Sequence, residues 1–428
     1  MGSYEREFWL SDTWGRNREE RQSGTFCPYV PDMLAGQAIA LGEQAAAAAA
    51  QAQADVALLD GLGLHLRNTE SLARLLFRAE AMSSSRIEGL VVPAGKLLER
   101  EALDELGVAG RVDSVEAAVL ANVAAMQQGI ESIAQGGALS VERICGMNAA
   151  LLANTNLAGQ GGRLRTVQNW IGGNAVNPIG AAYVPPRPER VPALMDDLVR
   201  FLDESALPPV AVAALAHAQL ETIHPFVDGN GRTGRALIHV VLRRAGVFTA
   251  VVPPVSLVLA SDKKRYIANL TAYRTDAEGV SGAEQERMRS EAIDGWVEYF
   301  ARSLSEACAR AQAFEGTLAS IERGWRERCK VRRGSAADQL LSRLVDNPVV
   351  SIQSAMRLCG KSREAARNAL LALTREGVLV QNARNRKSNI YVATEVVDAF
   401  TRYERSLATP GGETSIEKPA RPVPQRVK

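Results

Sequence analysis

The sequence predicts a mainly α-helical protein: a helical bundle carrying a small β-hairpin flap, followed by a C-terminal winged helix-turn-helix domain. Three observations carry this. Apolar residues recur at helical spacing through most of the first 330 positions, as in Leu72, Leu75, Leu76, Ala79 and Met82. Before residue 330, strand-like character is confined to two short pieces, Arg163–Gly173 and Ala182–Pro188, separated by a Gly/Asn/Pro turn. Near the C-terminus, Leu358-Cys359-Gly360-Lys361-Ser362 is a turn of helix-turn-helix length, and two alternating runs follow it.

Length and charge bound the rest. A chain of 428 residues is long enough for two or three domains. Lys+Arg 50 against Asp+Glu 48 gives +2, so no global field demands nucleic acid or a membrane. The five cysteines, Cys27, Cys145, Cys308, Cys329 and Cys359, are scattered and show no CxxC spacing, which favours reduced thiols. Met1–Leu10 is charged and has no apolar core, so no signal peptide is expected. Ala45–Ala50 is too short a small-residue run to cross a bilayer. These features together predict a cytoplasmic protein.

In chain order, Met1 to about Gly24 is polar and expected to be loose, and Pro28 and Pro31 suggest an extended piece lying on the body. Leu34 to about Leu62 is rich in Ala, Gln and Leu and predicts a long helix. A second helix runs from Asn68 to a stop at Gly89 and places Ser84 and Glu88 one turn apart. Further helices are predicted over Lys96–Leu106, over Val112–Gly129, and after Ser140, a candidate N-cap. The pieces holding Ile171, Gly172, Tyr183 and Val184 then form the hairpin. Helices over Pro209–Thr222 and Ala236–Arg244 flank a polar loop. A turn at Val252–Leu259 and a segment Asp262–Leu270 lead to a long amphipathic helix, Ala292–Arg328, with Trp296 and Phe300 on its buried face. Lys330–Ser335 reads as a linker. Helices over Ala337–Val345, Ile352–Leu358 and Ser362–Glu376 follow. The runs Val378–Gln381 and Asn389–Val392 flank a basic wing, Arg384–Lys387. Thr409–Lys428 is Pro/Gly/Glu/Lys-rich and is read as disordered. The domain limits expected are 1–110, 111–330, 335–400 and the tail 409–428.

The polar loop is His224-Pro225-Phe226-Val227-Asp228-Gly229-Asn230-Gly231-Arg232-Thr233-Gly234-Arg235. Pro225 ends the first helix and is expected to hold His224 extended. Gly229 and Gly231 let the backbone turn and approach a ligand closely. Free amides at the start of the next helix make an anion site. Arg232 and Arg235, three apart, suit phosphate oxygens. Asp228 is a hard oxygen ligand of the kind Mg²⁺ takes, and His224 can be neutral near pH 7, as a general base must be. The residues leave a second constellation open: His217, Glu221 and His224 share a helical face with Asp228 following, a set able to hold a hydrolytic metal.

This twelve-residue run matches the Fic motif, His-Pro-Phe-x-Asp/Glu-Gly-Asn-Gly-Arg-x-x-Arg, at every fixed position, and the chain resembles that family. The resemblance implies transfer of AMP from ATP to a hydroxyl of a target protein. It makes His224 the base and Asp228 the Mg²⁺ ligand. Phe226, Gly229, Asn230, Gly231, Arg232 and Arg235 become nucleotide-binding residues, with Tyr266 and Leu270 as candidate adenine contacts. Ser84-x-x-x-Glu88-Gly89 matches the family's inhibitory motif, which implies a Glu88–Arg235 pair that blocks the γ-phosphate site. Ile171, Gly172, Tyr183 and Val184 resemble the flap that registers the target. In the winged helix, Lys361, Arg363, Arg367, Arg386 and Lys387 are candidate DNA contacts, though such modules also serve protein contacts. Self-modification and a homodimer are further expectations. The alternatives are a nucleotide-sensing DNA-binding regulator, or the same site using another nucleotide or removing AMP.

Overall fold

The computed structural model describes residues 2–11, 15, 17–65, 69–107, 114–134, 138–276, 279–382 and 390–405. The wing with Arg386 and Lys387, and the tail 409–428, lie outside the described residues.

Four short strands open the chain: β1 (Gly2–Tyr4), β2 (Glu7–Trp9), β3 (Gly24–Phe26) and β4 (Tyr29–Pro31). Antiparallel pairing joins β1 to β4 and β2 to β3. Far from being loose, this segment is a ribbon clamped to the body. Trp9 meets Trp170 edge-on at 5.8 Å, Glu7 pairs with Arg187 at 3.1 Å, and Glu5 pairs with Arg190. Strands of three residues are too short for periodicity to register.

The helical body follows as α1 (Glu43–His65), α2 (Thr69–Ile87), α3 (Ala94–Glu105), α4 (Val115–Ala134), α5 (Val141–Leu152), α6 (Val191–Glu204), α7 (Pro209–Ile223), α8 (Asn230–Arg244), α9 (Val255–Ser261), α10 (Lys263–Tyr273) and α11 (Gly282–Arg328). α1 starts at Glu43 and not at Leu34, because the amides of Leu34 and Ala35 donate to the Asp197 carboxylate and hold that run irregular. Ser140 caps α5 as expected, accepting from the Arg143 amide. α7 begins on Pro209, where a missing N–H costs nothing, and buries every residue from Val210 to Ile223. It is the central helix. α8 packs along it, and α11 crosses it through Trp296, whose indole donates to Ala214 O at 2.7 Å. The predicted hairpin is reduced to one antiparallel bridge, Ile171 with Tyr183, in an otherwise irregular loop.

Beyond α11 come α12 (Ala336–Arg343), β5 (Val349–Ser351), α13 (Ile352–Cys359), α14 (Arg363–Arg375), β6 (Val380–Asn382), β7 (Ile390–Val392) and α15 (Thr394–Arg405). The strands form an antiparallel sheet in the order β5-β7-β6. Gly360, at φ 60, stops α13 and Ser362 caps α14, which is the expected tight turn. One hydrophobic core runs from Leu34 to Tyr403, so this C-terminal unit is packed onto the body. Phe314 of α11 stacks on Tyr403 of α15 at 4.3 Å, and α15 also lies against α2 and α3.

Candidate active site

α7 ends one residue before its histidine, as Pro225 dictates. His224 itself is not extended: it sits at φ 50, ψ 58, the only non-glycine with positive φ among the described residues. Its amide still closes the helix on Leu220 O at 2.8 Å. Arg165 supplies the other restraint, donating from Nε to His224 O at 2.9 Å and from Nη2 to Ile223 O at 3.4 Å. A left-handed β-branched-free side chain at such a turn is tolerable only where surroundings fix it.

The loop after it is shaped by amides. The Asn230 side chain accepts from Phe226 N and donates to Phe226 O, both at 2.8 Å, so it is committed to the loop and leaves only its backbone for a ligand. Phe226 is buried at 1% exposure and anchors the loop in the core. Asn148 of α5 donates to Asp228 O at 3.0 Å and to Thr233 Oγ1 at 3.3 Å, and Asn169 donates to Phe226 O at 3.1 Å. Gly229, at φ 80, is the N-cap of α8 and offers no side chain. The first amides of α8 are therefore left for an outside acceptor at the positive end of the helix dipole.

Glu88 lies against this helix start. A Cβ on Gly231 would collide with Glu88 Oε1, so the carboxylate lies directly on the first turn of α8. Arg235 Nη2 donates to Glu88 Oε1 at 2.7 Å and to Ser84 O at 2.9 Å, and Arg235 Nε donates to Ser84 Oγ at 2.9 Å. Arg235 is 1% exposed, whereas the Glu88 side chain is 38% exposed at the rim. Burial pushes the Glu88 carboxyl up, but the Arg235 charge and hydrogen bond outweigh it and hold it low. Burial likewise lowers the Arg235 pKa, and Glu88 more than offsets this, so the guanidinium stays charged. Gly89 follows at φ 83, and Lys263 Nζ donates to Ile87 O at 2.6 Å, fixing the end of α2.

Burial, then the charges of Arg274 and Arg165, depress the His224 imidazole to about 4. It is neutral at pH 7, and its Nδ1 has no partner. Arg232 turns the other way from Arg235, toward Asp228 at 3.7 Å. Asp228 stays 35% exposed, and its Oδ1 accepts from Gly229 N at 2.8 Å. Beneath the loop, burial raises Glu221 to about 7 and lowers His217 to about 3. The metal constellation does not assemble: His217 Nε2 lies 2.8 Å from the Tyr266 hydroxyl, and among the described residues no three His, Cys, Asp or Glu side chains group as a metal cage. Tyr266 and Leu270 are buried in the core at 2% and 6%.

At the flap, Ile171 is exposed, Gly172 takes φ 77, and Tyr183 and Val184 are buried. The Tyr183 hydroxyl donates to Thr222 O at 2.6 Å, and Arg274 lies over its ring at 3.7 Å. Val184 O accepts from Tyr29 N of β4 at 2.9 Å, which ties the N-terminal ribbon to the flap. Lys361, Arg363 and Arg367 are exposed at and just before the start of α14. Sequence reasoning missed Asn148, Arg165, Asn169 and Arg274. The one signal for Asn148 was a polar residue set among apolar neighbours.

The Fic/DOC family model matches residues 138–242, and the Fic/DOC family N-terminal model matches residues 46–131. The protein adenylyltransferase fic-1 of Caenorhabditis elegans is 36% identical over 135 residues, 31% of this chain and 24% of that protein. The protein adenylyltransferase Fic of Drosophila melanogaster is 42% identical over 97 residues, 22% of this chain and 18% of that protein. The matches thus span about a quarter or less of those relatives. A solved Fic family protein from Desulfovibrio desulfuricans G20 aligns at TM-score 0.47 and 19% identity, covering 81% of this chain and 95% of that one. Residues 46–131 and 138–242 of the chain are thus its Fic/DOC family domains.

Proposed function

We propose that this protein transfers AMP from ATP to a Ser, Thr or Tyr hydroxyl of a target protein, and that Glu88 holds it latent. One observation carries the reading: Glu88 is seated on the first turn of α8 and saturates the buried Arg235, where a nucleotide's terminal phosphates would otherwise bind. In the reaction, the target oxygen attacks the α-phosphorus, the bond to the β-phosphate breaks, and pyrophosphate leaves with its electron pair. His224 takes the hydroxyl proton, and its neutrality at pH 7 makes it available to do so. The triphosphate's negative charge counters Arg165 and Arg274 and raises the imidazole toward working range. The α8 amides and Arg232, with Arg235 once freed, neutralise the charge on the departing pyrophosphate. Asp228, one exposed carboxylate rather than a cage, suits a Mg²⁺ delivered on the phosphates, whose chemistry there is charge neutralisation. The target segment would pair with the flap near Ile171, leaving the buried Tyr183 and Val184 as its support.

The test is α-labelled ATP with Mg²⁺ and wild type, Glu88→Gly, or Glu88→Gly/His224→Ala. Label on protein in Glu88→Gly that vanishes in the double variant is expected, self-modification included. No label in any variant, despite ATP binding, sinks the transferase reading. A second reading, a nucleotide-sensing DNA-binding regulator, is favoured by the exposed Lys361, Arg363 and Arg367 on the C-terminal unit. Salt-sensitive, sequence-dependent DNA retention without transfer would select it. Running the assay with other nucleotides and with pre-labelled protein tests a different donor or AMP removal, with Glu88 aligning a water. Five unpaired cysteines support a reducing, cytoplasmic setting. Among the described residues no helix is long and apolar enough to cross a membrane. Sedimentation at assay concentrations tests the homodimer.

A further inference from the structure

Arg165 lies outside the motif, yet its side chain touches more of the site's backbone than any motif residue does. Its guanidinium donates to His224 O at 2.9 Å, to Ile223 O at 3.4 Å, to Val167 O at 3.2 Å and to Pro186 O, while its amide donates to Pro225 O at 2.8 Å. Three of these carbonyls, Ile223, His224 and Pro225, belong to the turn that presents the histidine. The other two, Val167 and Pro186, are the two roots of the flap loop. Arg165 is 3% exposed, and among the described residues no carboxylate lies at hydrogen-bond distance from it, Glu189 acting on its charge only from further off. A buried guanidinium spent wholly on carbonyls is an uncommon use of so costly a group.

We infer that Arg165 is a positioning residue: it locks the left-handed turn of His224 to the roots of the flap, so that the base and the target-docking loop move as one piece. This rests on the transferase reading for its chemistry and not for its geometry. Burial lowers the Arg165 guanidinium to about 10, so it keeps its charge at neutral pH and all five donors remain in place. Lysine cannot replace it, because a point ammonium cannot span carbonyls on both sides of a fork. The charged groups bearing on His224 are Arg165 from the flap root, Arg274 after α10, and Glu88 just after α2.

Two variants separate its roles, each built on Glu88→Gly. Arg165→Lys keeps the charge and loses the fork. Arg165→Met loses both. In Arg165→Lys, ATP affinity is expected to hold while kcat falls about 100-fold, the effect of a misplacement near 1 Å. Its His224 pKa stays close to that of the parent, because the neighbouring charge is kept, while the imidazole chemical shift moves because the turn is no longer held. In Arg165→Met, the His224 titration moves upward as well, because a neighbouring positive charge is gone. The chain has four histidines, and the His224 imidazole resonance is assigned by its loss in His224→Ala. That resonance reports the turn without any transfer, so failure of the transferase reading and failure of this inference give different results. Should Arg165→Met not fold, Arg165→Lys alone decides. An unchanged kcat per folded molecule, with an unmoved His224 resonance in Arg165→Lys, would overturn the inference. So would a lowered melting temperature as the sole effect.

Discussion

Gly229 illustrates how tightly single residues are specified around the loop. At φ 80 an alanine there is strained, and its Cβ would sit 2.7 Å from Leu151 Cδ2 and 3.0 Å from Asn148 Nδ2. Gly229→Ala is expected to cost about 1–3 kcal/mol in denaturant titration and to abolish labelling in the Glu88→Gly background, by displacing Asn148 from Asp228. At this scale the motif was legible because its chemistry is contiguous: base, carboxylate, amide, glycines and arginines fall within one turn and one helix start. The structure revised two of those residues. His224 is left-handed where a pre-proline residue is expected to be extended, because Arg165 and Leu220 hold both sides of it. Asn230 holds the loop where a phosphate contact was expected, because Phe226 offers both of its backbone partners. Arg165, Asn169 and Arg274 were not legible, since each acts on groups far away in sequence.

Between elements, the most consequential polar contact is buried. Glu80 of α2 receives His239 of α8 at 2.8 Å, and both the amide of Ser256 in α9, at 2.7 Å, and its hydroxyl, at 2.5 Å. Glu80 and His239 are both fully buried, so Glu80→Ala leaves three donors unmatched. Its expected cost is roughly 3 kcal/mol in the denaturation midpoint, with Glu80→Gln retaining part of it. The helices themselves were readable from apolar spacing and caps, including Ser140 and Ser362. The strands at the N-terminus and β5 were not. Three-residue strands carry no period, whereas α15 did carry a signal that went unread: Val396, Ala399, Phe400 and Tyr403 recur at helical spacing and form its buried face. The flap was overread as a hairpin: its glycines at 172 and 173 take positive φ and interrupt pairing after one bridge.

At the level of the whole molecule, the C-terminal unit rests on α2, the helix that leads directly into Glu88. Arg86 pairs with Glu404 of α15 at 3.5 Å, and Glu404 is buried to 3% exposure. Burial raises Glu404 from 4.5 to about 7, with Arg86 only partly opposing. The folded protein therefore keeps a proton that the unfolded chain has lost, and this group's contribution falls as pH rises from 4.5 through 7. At about 1.4 kcal/mol per unit, the loss approaches about 3 kcal/mol. Glu404→Gln removes it, so the variant's stability relative to wild type should climb across that window in urea titrations at successive pH values. The docking has a kinetic corollary. α2 is pinned by Glu80 at its middle, by Lys263 at its last carbonyl and by α15 alongside, so it has little freedom to swing away as a rigid body. The Glu88 side chain, 38% exposed and held by Arg235 Nη2 at 2.7 Å, can leave this contact by rotation alone. In the latch proposed above, release is then a side-chain rotation that breaks the Arg235 pair rather than a swing of α2. The amides of α2 should accordingly exchange with deuterium at the same rate in Glu88→Gly as in wild type.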